Sequence, residues 1–320
     1  MLVKFYGTRG SIPVSHPEKV QFGGNTTCLR IRSECLPEGH WLTVDSGTGI
    51  VPLSRDFVKA NGKEVVVLQT HWHHDHTQGM LLSCFPYMKN IPVRVFGPKE
   101  DGLGGRQVFH QIMRPPFFPV EFKEIGSHFR FHDIEHPNST VLVIHPTGGY
   151  KVLKLEEFER MLKEGRQLPF PSRQSFSVEE CLVVRMYRNN HPERTISYRF
   201  EERPTGQIFV ILTDHENMDG IPQCLRRHLE GASLLVMDAQ YTREAYDTAK
   251  CGFGHGTPDY VAKVARETGI SFLGITHHDP DSTDSQIQEI VAVAQSEAGA
   301  GIHVFACCDY KEVDLIGTLS

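Results

Sequence analysis

His71-Trp72-His73-His74-Asp75-His76 is the stretch on which the reading of this chain turns. It directly follows Glu64-Val65-Val66-Val67-Leu68-Gln69-Thr70, an apolar run that predicts a buried strand. Alternate side chains of an extended segment share a face, so His71 and His73 point the same way. Asp75 and His76 fall where the chain turns toward a helix expected over 78–85. Two cations could be served here, His71 and His73 holding one and Asp75 and His76 the other. Imidazole and carboxylate donors without thiolate suit zinc, with manganese or iron as alternatives. A histidine-rich surface loop would not need to follow a buried strand so closely. His74 occupies a free position of the pattern.

A two-metal site needs more donors, and strand ends supply rigid, adjacent ones. His191 stands in Asn189-Asn190-His191-Pro192, after a strand predicted over 181–187. Asp214 closes the apolar run Phe209-Val210-Ile211-Leu212, and His277 closes Phe272-Leu273-Gly274-Ile275. One such residue alone is as readily a cap or a hydrogen-bonded core residue. Three of them in a chain with this histidine motif point to metal.

The order HxHxDH, His, Asp, a GH[SG]T segment and a final His resembles the ribonuclease Z-like branch of the metallo-β-lactamase superfamily. That branch includes cyclic phosphodiesterases. Gly7-Thr8-Arg9-Gly10-Ser11, Gly23-Gly24-Asn25-Thr26-Thr27-Cys28, Asp45-Ser46-Gly47-Thr48-Gly49, Asp238-Ala239-Gln240-Tyr241 and His277-His278-Asp279-Pro280 extend the likeness over nearly the whole chain. The resemblance implies an α/β (α+β) fold, the four-layer αββα sandwich. It implies that His71, His73 and His191 hold one cation, that Asp75, His76 and His277 hold another, and that Asp214 bridges. His277 is preferred to His278 on the family's Thr-His order. His255, in Gly254-His255-Gly256-Thr257, matches the family's unmetallated histidine, with Asp238 placed to orient it. Gly256 departs from the family's usual serine. The catalytic set is then Asp75, His255 and Asp238. Two cations would activate a shared water and neutralise phosphate oxygens. His255 would protonate the leaving oxygen.

The resemblance also suggests the substrate. The histidine at 73 is unlike the oxygen-reducing diiron branch, which has a carboxylate there. Ribonuclease Z enzymes commonly carry a tRNA-gripping arm between the positions of His191 and Asp214, and here only 22 residues lie between them. The net charge of −6 is also poorly matched to a long polyanion. A small phosphodiester such as a cyclic nucleotide is the expected substrate. A nuclease on RNA or DNA and a lactone or thioester hydrolase on the same fold are the alternatives.

With 320 residues, 39% of them hydrophobic and 22% charged, the chain reads as one globular domain over 1–320. A lid or insertion is expected at about 146–180, where Pro and Ser accumulate. No segment reads as a signal peptide or a membrane span, so a cytoplasmic protein without a membrane partner is expected. Relatives are often dimers, which suggests a homodimer. The eight cysteines show no CxxC pair and are expected as thiols, with Cys307 and Cys308 in the core. Helices are expected over 52–60, 103–113, 155–163, 221–229 and 258–268, and one from Ser285 to about 295 capped by Asp284. Arg9, Asn25 and Thr48 are expected to brace loops near the metals. Phe117 and Phe118 could stack on a base, but packing beneath a loop is the simpler role.

Overall fold

The computed structural model describes residues 1–315. Two sheets form. In spatial order the first comprises Glu312–Asp314, Leu2–Gly7, Cys28–Arg32, His40–Val44, Glu64–Leu68, Val93–Pro98 and Phe129–Ile134. Its neighbours are antiparallel as far as His40–Val44 and parallel beyond it. The second runs His303–Ala306, Phe272–Thr276, Leu234–Asp238, Gln207–Leu212, Ile196–Glu202, Leu182–Arg188, Thr140–His145 and Gly149–Lys154. Its first four strands are parallel and the rest antiparallel.

Side-chain alternation builds the layers. Val66 and Leu68 point into a core shared with Leu142, Val184, Phe200, Phe209 and Val236 of the second sheet. Their neighbours Val65 and Val67 point outward, onto Phe57 of the helix Ile50–Lys59. On the other side Val210, Leu212, Leu235 and Met237 face outward onto Val261, Ala262 and Ala265 of the helix Pro258–Thr268. Each buried aliphatic or aromatic side chain contributes about 1.5–3 kcal/mol. The order is therefore helix, sheet, sheet, helix, the expected αββα sandwich.

Several local expectations need correction. The expected helix over 78–85 is not α-helical: the α-helix is the single turn His74–Thr77 just before it, and the chain continues as the tighter 3-10 turn Gln78–Leu82. Gly79 packs so closely on Gly47 that a Cβ there would lie 2.0 Å from the Gly47 carbonyl oxygen. Asp284 is not a helix cap. Thr283 caps the helix Asp284–Ala298 by accepting the Gln286 N–H, while Asp284 accepts the N–H groups of Val20 and Gln21 at 2.9 and 2.8 Å. Cys307 is fully buried but Cys308 only partly so. Residues 146–180 supply the edge strand Gly149–Lys154, the helix Leu155–Lys163 and a small hairpin. They pack Leu153, Phe158, Leu168 and Phe170 against Val141 and Val183 of the second sheet. Among the described residues no helix is long and apolar enough to cross a membrane.

Candidate metal centre

Parallel strands of both sheets end at one place. His71 follows Glu64–Leu68, Asp214 follows Gln207–Leu212 and His277 follows Phe272–Thr276. Donor atoms of His71, His73, His191 and Asp214 lie within 4.8 Å of one another, as do those of Asp75, His76 and His277. Asp214 faces both groups. One of its oxygens is 3.6 Å from His71 Nε2, and the other is 3.3 Å from His76 Nε2 and 3.4 Å from His277 Nε2. Asp75 Oδ2 lies 3.3 Å from His76 Nε2 and 3.1 Å from His277 Nε2, and it accepts the Ser11 N–H at 2.7 Å.

The outer nitrogens explain why the rings point inward. His76 Nδ1 is 2.8 Å from Asp45 Oδ2, and His71 Nδ1 is 3.1 Å from Thr70 Oγ1. His191 Nδ1 donates to the Gly254 carbonyl at 3.0 Å, and His277 Nδ1 to Gln240 Oε1 at 2.8 Å. Each contact holds the ring so that Nε2 faces the centre. Asp45 is itself held, accepting the Thr70 N–H at 2.7 Å. Asp45, Asp214 and His277 adopt left-handed backbone conformations, with φ of 60°, 52° and 59°. Such geometry costs a non-glycine residue on the order of 1 kcal/mol or more, and here it turns each side chain off its strand end toward the others.

Two observations test whether cations fit. The Nε2 atoms of His71 and His191 are buried and have no hydrogen-bond partner. A buried polar atom left so costs about 1–3 kcal/mol, which a bound cation would offset. The Nε2 atoms of His76 and His277 also face each other at 3.2 Å, an arrangement suited to a common ligand. The donor set fits a pair of divalent cations.

The electrostatics are tightly balanced. Burial alone would raise the Asp214 carboxyl, but the His277, His76 and His71 imidazoles hold it well below the usual range. Asp75 is likewise held down against burial, chiefly by His76 and His277. Burial opposes charge on His76, yet Asp214, Asp75 and Asp45 hold its pKa well above the ordinary value. His277 is raised to about 9 against burial, Asp214 being the leading cause. His71 is pushed well down by burial and then by His76.

All seven residues expected as ligands therefore converge. His255 stands beside them, its ring 4.9 Å from that of His277, and its Nδ1 lies 2.8 Å from Asp238 Oδ2. A donor atom of His255 also lies within 4.8 Å of donors on Asp214 and His277, so geometry alone lets it hold either a proton or a cation. Gly256 is accounted for, since a Cβ there would lie 2.5 Å from the Asp238 carbonyl oxygen. His278 points away, its Nε2 donating to the Cys307 carbonyl at 2.8 Å, and burial lowers its pKa to about 4.

Arg9 is buried and donates to the carbonyls of Gly23, Asp279 and Ser282, so it braces the loops. Asn25 accepts the N–H groups of Thr8 and Arg9 through its carbonyl, and the Thr48 hydroxyl through its side chain. Phe118 packs against the outer core of the first sheet, whereas Phe117 is exposed. Sequence reasoning missed Asp45, Gln240 and Glu193 as parts of the site. Glu193 is half-exposed, 3.1 Å from His73 Nε2 and 3.5 Å from His191 Nε2. Asp45 carried a readable signal, an acid at a strand end before Ser46-Gly47.

No protein-family model matches the chain. A ribonuclease Z from Brevibacillus brevis is 24% identical over 311 residues, covering 92% of each chain. The metallo-β-lactamase fold protein YhfI from Bacillus subtilis superposes with a TM-score of 0.62 at 15% identity, covering 98% of this chain and 99% of its own. A diphosphatase of the PhnP family superposes with a TM-score of 0.57 at 15% identity, covering 98% and 97%.

Proposed function

We propose that this chain, which is similar to a ribonuclease Z in sequence and to metallo-β-lactamase fold proteins in structure, is a phosphodiesterase that uses two divalent cations, zinc first among them, on a small phosphodiester such as a cyclic nucleotide. The observation that carries this reading is the double donor cluster with its two partnerless imidazole nitrogens. His71, His73 and His191 would hold one cation, Asp75, His76 and His277 the other, with Asp214 between them. Bound there, such a pair lowers the pKa of water and neutralises phosphoryl oxygens. Asp45, Thr70, Gln240 and the Gly254 carbonyl keep the imidazoles aimed. Asp238 would accept a hydrogen bond from His255 Nδ1–H, so that the His255 ring, protonated on both nitrogens, could pass the Nε2 proton to the departing oxygen.

A small substrate is supported by the interval between His191 and Asp214. It consists mainly of the paired strands Ile196–Glu202 and Gln207–Leu212, joined by the short turn 203–206. No arm for gripping tRNA extends from it. A cytoplasmic location and a homodimer belong to the same reading, and light scattering addresses the second.

Metal-loaded protein should hydrolyse bis-p-nitrophenyl phosphate, and His71→Ala should reduce the rate to background. Full activity in that variant would overturn the reading. A second reading, hydrolysis of RNA, is favoured by the ribonuclease relative that spans 92% of the chain. Turnover of short RNAs together with steep salt-dependent binding would select it.

A further inference from the structure

The segment 241–254 borders the centre and carries groups that the proposed reaction leaves unused. Tyr241 stands edge-on to His255, with ring centroids 5.6 Å apart. The Lys250 ammonium lies 5.4 Å from the Tyr241 ring centroid and 5.5 Å from that of Phe253. Among the described residues no carboxylate pairs with Lys250. Phe253 is 55% exposed, whereas most phenylalanines of this chain are buried.

This segment is fastened in place. Glu216 accepts the Tyr246 hydroxyl at 2.9 Å, the Gly254 N–H at 3.2 Å and the Gly252 N–H. Gly252 and Gly254 both take φ of 89°, a conformation that glycine adopts freely. The Gly254 carbonyl in turn accepts from His191, so the loop is tied directly to the donor cluster. A cation without a carboxylate partner and an exposed aromatic ring thus stand near His255, linked to it through Tyr241. Their chemistry complements an anionic phosphate oxygen and a planar ring.

We propose that Lys250 and Phe253, backed by Tyr241, form a substrate subsite for a nucleotide, the base lying on the open face of Phe253 and a phosphate oxygen meeting Lys250. This rests on the phosphodiesterase reading and names the substrate class. Lys250 and Phe253 would govern affinity, and the chemistry would stay with the metal cluster and His255.

The test is calorimetric titration of adenosine 5′-monophosphate into the zinc-loaded full chain. Wild type, Lys250→Met, Phe253→Ala and the control Phe117→Ala, an exposed phenylalanine on another loop, would be compared. Losing one stacking platform should weaken binding by about five-fold or more in Phe253→Ala. Lys250→Met should weaken it similarly, and Phe117→Ala should leave it unchanged. Inorganic phosphate should bind wild type and Phe253→Ala equally. In a parallel arm, both subsite variants should raise KM for thymidine 5′-p-nitrophenyl phosphate with kcat held. For methyl p-nitrophenyl phosphate, which has no base, Phe253→Ala should leave KM at the wild-type value, whereas Lys250→Met should still raise it. No nucleotide binding by wild type, or equal affinity in wild type and Phe253→Ala, overturns the subsite. Failure of wild type to hydrolyse either diester overturns the phosphodiesterase reading instead, and the nucleotide titration still decides the subsite.

Discussion

Asp45 Oδ2 lies 2.8 Å from His76 Nδ1, and neither side chain reaches solvent. The same carboxylate accepts the Thr70 N–H, so one residue fixes both the ring and the backbone leading into the histidine motif. Asp45→Asn should fold but bind its second zinc about 10–100-fold more weakly, the usual cost of removing such a support. Competition with a zinc-binding dye measures this, and circular dichroism checks the fold. Unchanged affinity for both zinc ions would remove Asp45 from this role.

Two glycines permit the close approach of two imidazoles. A Cβ on Gly10 would lie 2.4 Å from His277 Nδ1, and one on Gly254 would lie 2.0 Å from His191 Nδ1. Gly10→Ala should therefore loosen the cation proposed for Asp75, His76 and His277. Gly254→Ala should loosen the one proposed for His71, His73 and His191. Each variant should retain close to one zinc per chain by elemental analysis after dialysis against a mild chelator. Two retained in both would refute the assignment of these glycines.

Much of this centre could be read before any coordinates, because its donors sit where strands end. His71, Asp214 and His277 each follow a short apolar run, and the shortness of these runs together with their Val and Ile content favours buried strands over helices. What stayed hidden depends on tertiary approach. Gln240 matters only because folding brings it to His277, 37 residues away. Glu193 was passed over because an exposed acid in a polar turn carries no periodic signal. The strands Gly149–Lys154 and Glu312–Asp314 were missed because they are short, polar edge strands whose pairing depends on distant partners.

Acid should destabilise the fold through His228. This ring is buried, with Nε2 2.9 Å from Ser197 Oγ. Burial, and then the guanidinium groups of Arg199 and Arg185, push its pKa from 6.5 down to about 3. The unfolded chain takes up the proton near pH 6.5, while the folded chain resists until near 3. The stabilising contribution is thus full above pH 6.5 and is lost as pH falls toward 3. Linkage puts the loss on the order of 2 kcal/mol by pH 5. His228→Gln keeps an N–H for Ser197 and should flatten this limb when urea midpoints are followed from pH 7 to 5. Parallel slopes in the two proteins would count against it.

The helix Asp284–Ala298 separates capping from loop bracing. Thr283→Ala removes the acceptor for the Gln286 N–H and should cost about 1 kcal/mol in urea unfolding. Asp284→Ala frees the Val20 and Gln21 amides instead. Its signature should be faster hydrogen exchange at those amides, a change that Thr283→Ala should not produce.

Each of the two ligand sets proposed for the cations draws on both sheets. His71, His73, Asp75 and His76 come from the first, and His191, Asp214 and His277 from the second. Neither of those two sets is complete within one half of the sandwich. A chain still emerging from the ribosome would have no complete grip on an ion until Asp214, and then His277, had left the exit tunnel. Ion capture at either set would then follow, rather than guide, the docking of the two halves.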